Sequence, residues 1–135
     1  MNVRKFGHLL IRSTNGRDLG DVDVLAVDAS RRRLIALECK DFEMDRMPHE
    51  VHDDVRTLFD DTKHASALTK HERRIEWLRS NAPAVARHLA GDSCGGEWSV
   101  VGGIVLSRAL AAPMLRAARL PIWTFADIDK ADWDP

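Results

Sequence analysis

GDVDVLAVDASRRRLIALECK, residues 20–40, reads as two apolar strands joined by a tight turn. Val22, Val24, Ala26 and Val27 fill the first strand, and Leu34, Ile35, Ala36 and Leu37 fill the second. Asp28, Ala29, Ser30 and three arginines make the polar break between them. Near-continuous apolar runs of this kind suit strands covered on both faces. Four charged residues nevertheless sit inside the hairpin: Asp21, Asp23, Glu38 and Lys40.

A turn centred between Ser30 and Arg31 pairs residues whose numbers sum to 61. Asp23 then falls opposite Glu38, and Asp21 opposite Lys40. Alternation along each strand sends all four side chains to one face. Opposed side chains have Cβ atoms roughly 4.5–5.5 Å apart, where like charges repel. A hard divalent cation such as Mg²⁺, which takes carboxylate oxygens and water, is the simplest reason for two acids to face each other there. Cys39 points to the other face with Ile35 and Leu37, and reads as a small core residue rather than a nucleophile. A hairpin whose acids merely pair with Lys40 and the arginines is the plain alternative.

Asp23 followed by Glu38-Cys39-Lys40 at the end of a second apolar strand resembles the PD-(D/E)XK nuclease superfamily. GDVDVLAVD with LIALECK looks like its restriction-endonuclease-like branch, which holds Mrr-type domains, nuclease-related domains and archaeal Holliday-junction resolvases. The resemblance covers residues 18–128 and is sharp only in the hairpin. It implies a metal-dependent nuclease that hydrolyses phosphodiester bonds, with DNA as substrate and Mg²⁺ (or Mn²⁺) as cofactor. Asp23 and Glu38 would bind the ion, helped by the backbone carbonyl of Cys39 and by Asp21. Lys40 would orient the attacking water or stabilise charge on the phosphate. The family usually places an acid-bearing helix before the first core strand. Residues 1–17 hold no acid here, and the position before Asp23 is Val22 rather than proline. The rival reading is a degenerate nuclease-fold module that binds nucleic acid or a partner protein.

The expected architecture is α/β: one domain over residues 1–135, with a central mixed sheet flanked by helices and a restriction-endonuclease-like core. The chain has 44% apolar and 30% charged residues, the balance of a folded globular protein. Its net charge of −1 gives no bulk attraction to nucleic acid. Two cysteines make no disulfide framework, so a reducing cytoplasm is expected. No stretch is long enough to cross a membrane. Homodimerisation and membership of a longer chain stay open.

Residues 3–12 suggest a first strand, and Asn15-Gly16 a turn. Pro48 suits a helix start, with Val51, Val55, Leu58 and Phe59 at helical spacing behind an acidic face. Residues 63–89 are basic. Lys70, Arg73 and Arg74 are the candidate phosphate contacts, Trp77 a core anchor, and Asn81 the cap of a further short helix from Pro83. A strand from Trp98, a short helix near residues 113–118 and a last strand at residues 121–125 suggest a parallel crossover. Gly102-Gly103 would allow a close neighbour. The tail, DKADWDP, reads as loosely held. His49-Glu50-Val51-His52 lacks the four-residue histidine spacing of a zinc helix.

Overall fold

The computed structural model describes residues 11–12, 15–16, 18–41, 48–91, 96–109 and 118–133. Strands β1 (Ile11–Arg12) and β2 (Asp18–Gly20) form a small antiparallel pair across the Asn15-Gly16 turn. The main sheet contains β3 (Val24–Asp28), β4 (Arg33–Lys40), β5 (Ser99–Leu106) and β6 (Ile122–Thr124), side by side in that order. The β3–β4 pair is antiparallel, and β4–β5 and β5–β6 are parallel. Two helices, α1 (Pro48–Phe59) and α2 (Ala67–Ala90), come between β4 and β5. The protein is therefore α/β with a mixed four-stranded sheet.

The hairpin register is the expected one. Val24 pairs with Leu37 and Val27 with Leu34, each pair summing to 61. Asp28 fixes the turn by accepting hydrogen bonds from the Ser30 hydroxyl at 2.6 Å and the Arg31 amide at 3.2 Å. Those bonds, the Ser30 one foremost, hold the Asp28 carboxyl down at about 2. β4 is one of the two inner strands and is buried from Arg33 to Glu38. Its even-numbered residues Leu34 and Ala36 share a core with Ile75, Leu78 and Ala82 of α2. Its odd-numbered residues Ile35 and Leu37 face the opposite layer, with Val105, Trp123, Ile128 and Trp133.

Both described α-helices lie on the first of these faces. Leu58 of α1 packs with Ala67 and Leu68 of α2 and Ile104 and Leu106 of β5. The opposite face is covered, among the described residues, by a 3₁₀ turn (Phe125–Lys130) and by Trp133. The tail as far as Trp133 is thus held rather than loose: the Trp133 ring lies 4.9 Å from that of Trp123, centroid to centroid. The reason is burial, since an indole covers enough apolar area to offset the ordering of a few polar neighbours.

The segment read as two helices is one. α2 runs 24 residues through Pro83, and Asn81 is internal, donating from its side chain to the Trp77 carbonyl at 2.8 Å. A proline inside a helix costs about 3 kcal/mol. Each fully buried aliphatic side chain returns about 1.5–3 kcal/mol. Ile75 and Leu78 before the proline, and Val85 and Leu89 after it, form one buried stripe, so packing prevails. Ser66 caps the helix, its hydroxyl accepting from the Thr69 amide at 3.2 Å. Trp77 is half-buried against this core, as expected. The glycine pair in β5 also meets its expectation. A Cβ at Gly102 would collide with Ile75 of α2, and one at Gly103 with Trp123. Of the expected first strand over residues 3–12 only Ile11–Arg12 is described, as β1, and the helix near 113–118 lies outside the described residues except for Ala118.

Candidate active site

The site is built at the C-terminal end of β4. Glu38 and Lys40 project to the α2 face, two residues apart, as strand alternation requires. Glu38 is 7% exposed. Its Oε2 accepts from Arg74 Nη1 of α2 at 2.6 Å, and its Oε1 meets Lys40 Nζ at 2.8 Å. The buried acid therefore already holds two cations. Arg74 is itself buried, 8% exposed, and its Nε donates to the Leu19 carbonyl of β2 at 2.8 Å. One guanidinium thus joins the small sheet, the helix and the end of β4.

Asp23 lies in the bend just before β3, one residue short of the ladder. It is exposed, and its Oδ2 accepts from the Cys39 amide at 2.7 Å. In a strand, the N–H and C=O of one residue point to the same edge, and those of its neighbours to the other. The Lys40 carbonyl accepts from Ser107 on the β5 side at 3.0 Å. The Cys39 carbonyl accordingly faces the β3 side, with Asp23. Asp21 is exposed and has a polar interaction of its own.

The Cys39 side chain corrects its expected burial: it is exposed. Cys39 pairs with Val105 of β5, but it sits at the strand end, outside the buried cluster of Ile35, Leu37 and Val105 on this face. Partial desolvation, then the charges of Asp23 and Glu38, push its thiol up from the ordinary value. A thiol held protonated is a poor nucleophile, in keeping with the reading of Cys39 as non-catalytic.

His71 completes the buried layer and was not singled out by the sequence reading. It is 0% exposed, and its Nε2–H donates to the Ala36 carbonyl at 3.1 Å, leaving Nδ1 without a partner. Burial, the largest cause, pushes its pKa below the usual 6.5. The unfolded chain therefore takes up this proton first. The contribution of His71 to stability is full above about pH 6.5 and is lost as pH falls below it toward the folded value. His71→Leu should flatten the decline of stability between about pH 6.5 and 5, read from urea midpoints across that window.

No family model matches the chain, and no curated protein or solved structure matches it either. The site is therefore read from its geometry alone. Among the described residues no group of three or more His, Cys, Asp and Glu side chains could hold a metal ion. The available donors are two carboxylates and a backbone carbonyl. They fit Mg²⁺ by type, because that ion keeps several waters and needs only one or two carboxylates. An incoming ion would have to compete with Lys40 and Arg74 for Glu38.

A cleft of about 560 Å³ opens over Glu38 and Lys40, between the two helices. Five basic side chains line it against three acids. Arg56 pairs with Asp60 at 3.3 Å and Asp53 at 3.9 Å. Lys63 and Lys70, both exposed, have no ion-pair partner among the described residues. The acidic face of α1 is thus answered at the cleft by Arg56, and the uncompensated charge there is positive. Of the three expected phosphate contacts, Lys70 lines this cleft, Arg73 is exposed outside it, and Arg74 is buried on Glu38.

Proposed function

We propose that this chain is a metal-dependent nuclease domain of the restriction-endonuclease-like type, cutting phosphodiester bonds in DNA with Mg²⁺ or Mn²⁺. The observation that carries the reading is the convergence of Asp23, Glu38 and Lys40 at one strand end, where Glu38 and Lys40 line a cleft of net positive charge. A bound divalent ion would supply Lewis-acid activation of the phosphate and a more acidic water. The chain's own residues do the rest. Asp23 and Glu38 offer the anionic oxygens, and the Cys39 amide fixes the Asp23 rotamer. Arg74 fixes Glu38 from the helix side. Lys40, with a third of its side chain exposed, can leave Glu38 Oε1 for a phosphate oxygen and neutralise charge that develops there.

A second reading has its own observation. Glu38 carries two cations already, which suits a nuclease-fold module that binds DNA and does not cut it. Incubating the purified chain with supercoiled plasmid in Mg²⁺, Mn²⁺ or EDTA decides between them. Nicking in either ion and none in EDTA supports the enzyme. Retarded but uncut plasmid in all three supports the binding module.

A further inference from the structure

A second cleft adjoins the first and shares His64, Ala65, Lys70 and Arg74 with it. Its other walls are Asp18, Leu19 and Gly20 of β2, and Arg73. Arg74 stands where the two meet. Its Nη1 is held by Glu38 and its Nε by the Leu19 carbonyl. Its Nη2 has no partner among the described residues, although the side chain is nine-tenths buried. Gly20 is what lets that nitrogen through. Its φ of +79° is a left-handed conformation, and a Cβ there would stand 2.8 Å from Nη2.

Lys70 sits one helical turn before Arg74, so its ammonium lies over the same face. The acids around this junction are mostly answered: Glu38 by Arg74 and Lys40, and Asp53 and Asp60 by Arg56. Asp18 accepts from the Gly20 amide at 2.7 Å. A planar guanidinium held on two sides, with one nitrogen left over, is a preorganised donor for a tetrahedral oxyanion.

We infer that Arg74 Nη2 and Lys70 form a phosphate subsite at the junction of the two clefts, taking a backbone phosphate of the nucleic acid next to the one at Lys40. The inference rests on the nuclease or DNA-binding reading for its ligand. The bound strand then passes from the first cleft over Lys70 into the second, toward Arg73. Because Arg74 also holds Glu38, a phosphate at Nη2 sits in fixed register to the carboxylate.

The test uses fluorescence anisotropy of a fluorescein-labelled DNA duplex in EDTA, where no cutting occurs. Lys70 is exposed, so Lys70→Gln keeps the fold. It is expected to raise Kd about 5–10-fold and to reduce the slope of log K against log salt by about one. Arg74→Lys keeps a cation for Glu38 but loses the fork, and should weaken binding as well once circular dichroism shows it folded. Lys130→Gln, in the 3₁₀ turn on the opposite face, should change Kd less than twofold on the order-of-magnitude scale of single surface charges. Wild-type affinity and salt slope in Lys70→Gln would overturn the subsite, as would a wild type that binds no DNA. Cutting in Mg²⁺ with Lys70-independent binding overturns the subsite alone. Lys70-dependent binding without cutting supports the subsite and removes only the catalytic reading.

Discussion

Asp23→Asn is expected to lower DNA cleavage by about 10³-fold or more while leaving the fold in place. The magnitude follows from the several kcal/mol that a bound cation contributes at a phosphoryl centre, at about 1.4 kcal/mol per tenfold in rate. The specificity follows from geometry. Asp23 is exposed, and its carboxylate accepts a hydrogen bond from the Cys39 amide. An asparagine oxygen accepts that bond equally well, so only the anionic charge is lost. Lys40→Ala is expected to lose a comparable part of the rate by a different route. An ammonium is not a metal ligand, so ion binding should survive, or tighten slightly as Glu38 Oε1 is freed. Single-turnover rates for the wild type and both variants, at saturating Mn²⁺, check this. Equal rates in all three would show that the cleavage measured does not come from this site.

The second large effect is on stability, and it separates two ion pairs that look alike in a diagram. Arg74→Met should destabilise the protein by about 3–5 kcal/mol, the cost of removing one partner from a buried pair. It leaves the buried Glu38 with a single cation and the Leu19 carbonyl without its guanidinium donor. Lys40→Met removes a partner whose side chain is one-third exposed, and should cost only about 0–1 kcal/mol. Against a typical total of about 5–15 kcal/mol, the first change is severe and the second slight. Arg74→Met combined with Glu38→Gln should recover part of the loss, because no unpaired charge then stays buried. Urea titrations with unchanged m values measure all three. An Arg74→Met cost below 1 kcal/mol would mean that the Glu38 pair is solvated rather than structural.

The hairpin was legible because its signals are local. A polar turn between two apolar runs fixes the centre, and a period of two fixes the faces, so the register of Val24 with Leu37 follows. α1, β5 and β6 announced themselves in the same way, by Pro48, by SVVGGIVL and by the β-favouring run Ile122-Trp123-Thr124 after Pro121. The partner of Glu38 was not legible, because Arg74 lies 36 residues away and was counted with the basic face. A signal was present: His71, Arg74, Ile75 and Leu78 share one stripe at helical spacing, and the polar members of a buried stripe need partners. Pro83 and Asn81 suggested a break, because local propensity says nothing of the sheet beneath the helix. Alternation puts Cys39 on the face of Ile35 and Leu37 but does not say how far along the strand the packed layer extends. Trp133 needed Trp123 in space before its anchoring could be seen.

The most direct measurement of the central claim, that Asp23 and Glu38 serve one divalent cation, is a thermal melt in Mg²⁺, Mn²⁺ and EDTA. An ion bound only to the folded state adds about 2.7 kcal/mol of stability at a hundred times its Kd. For a domain of this size that is a rise of roughly 5–20 °C in Tm, at about 2–8 °C per kcal/mol. The wild type is expected to show this rise in at least one of the ions, and Asp23→Asn to show none. A wild type whose Tm is the same in both ions and in EDTA would contradict the metal site, and with it the assignment of this chain as a nuclease.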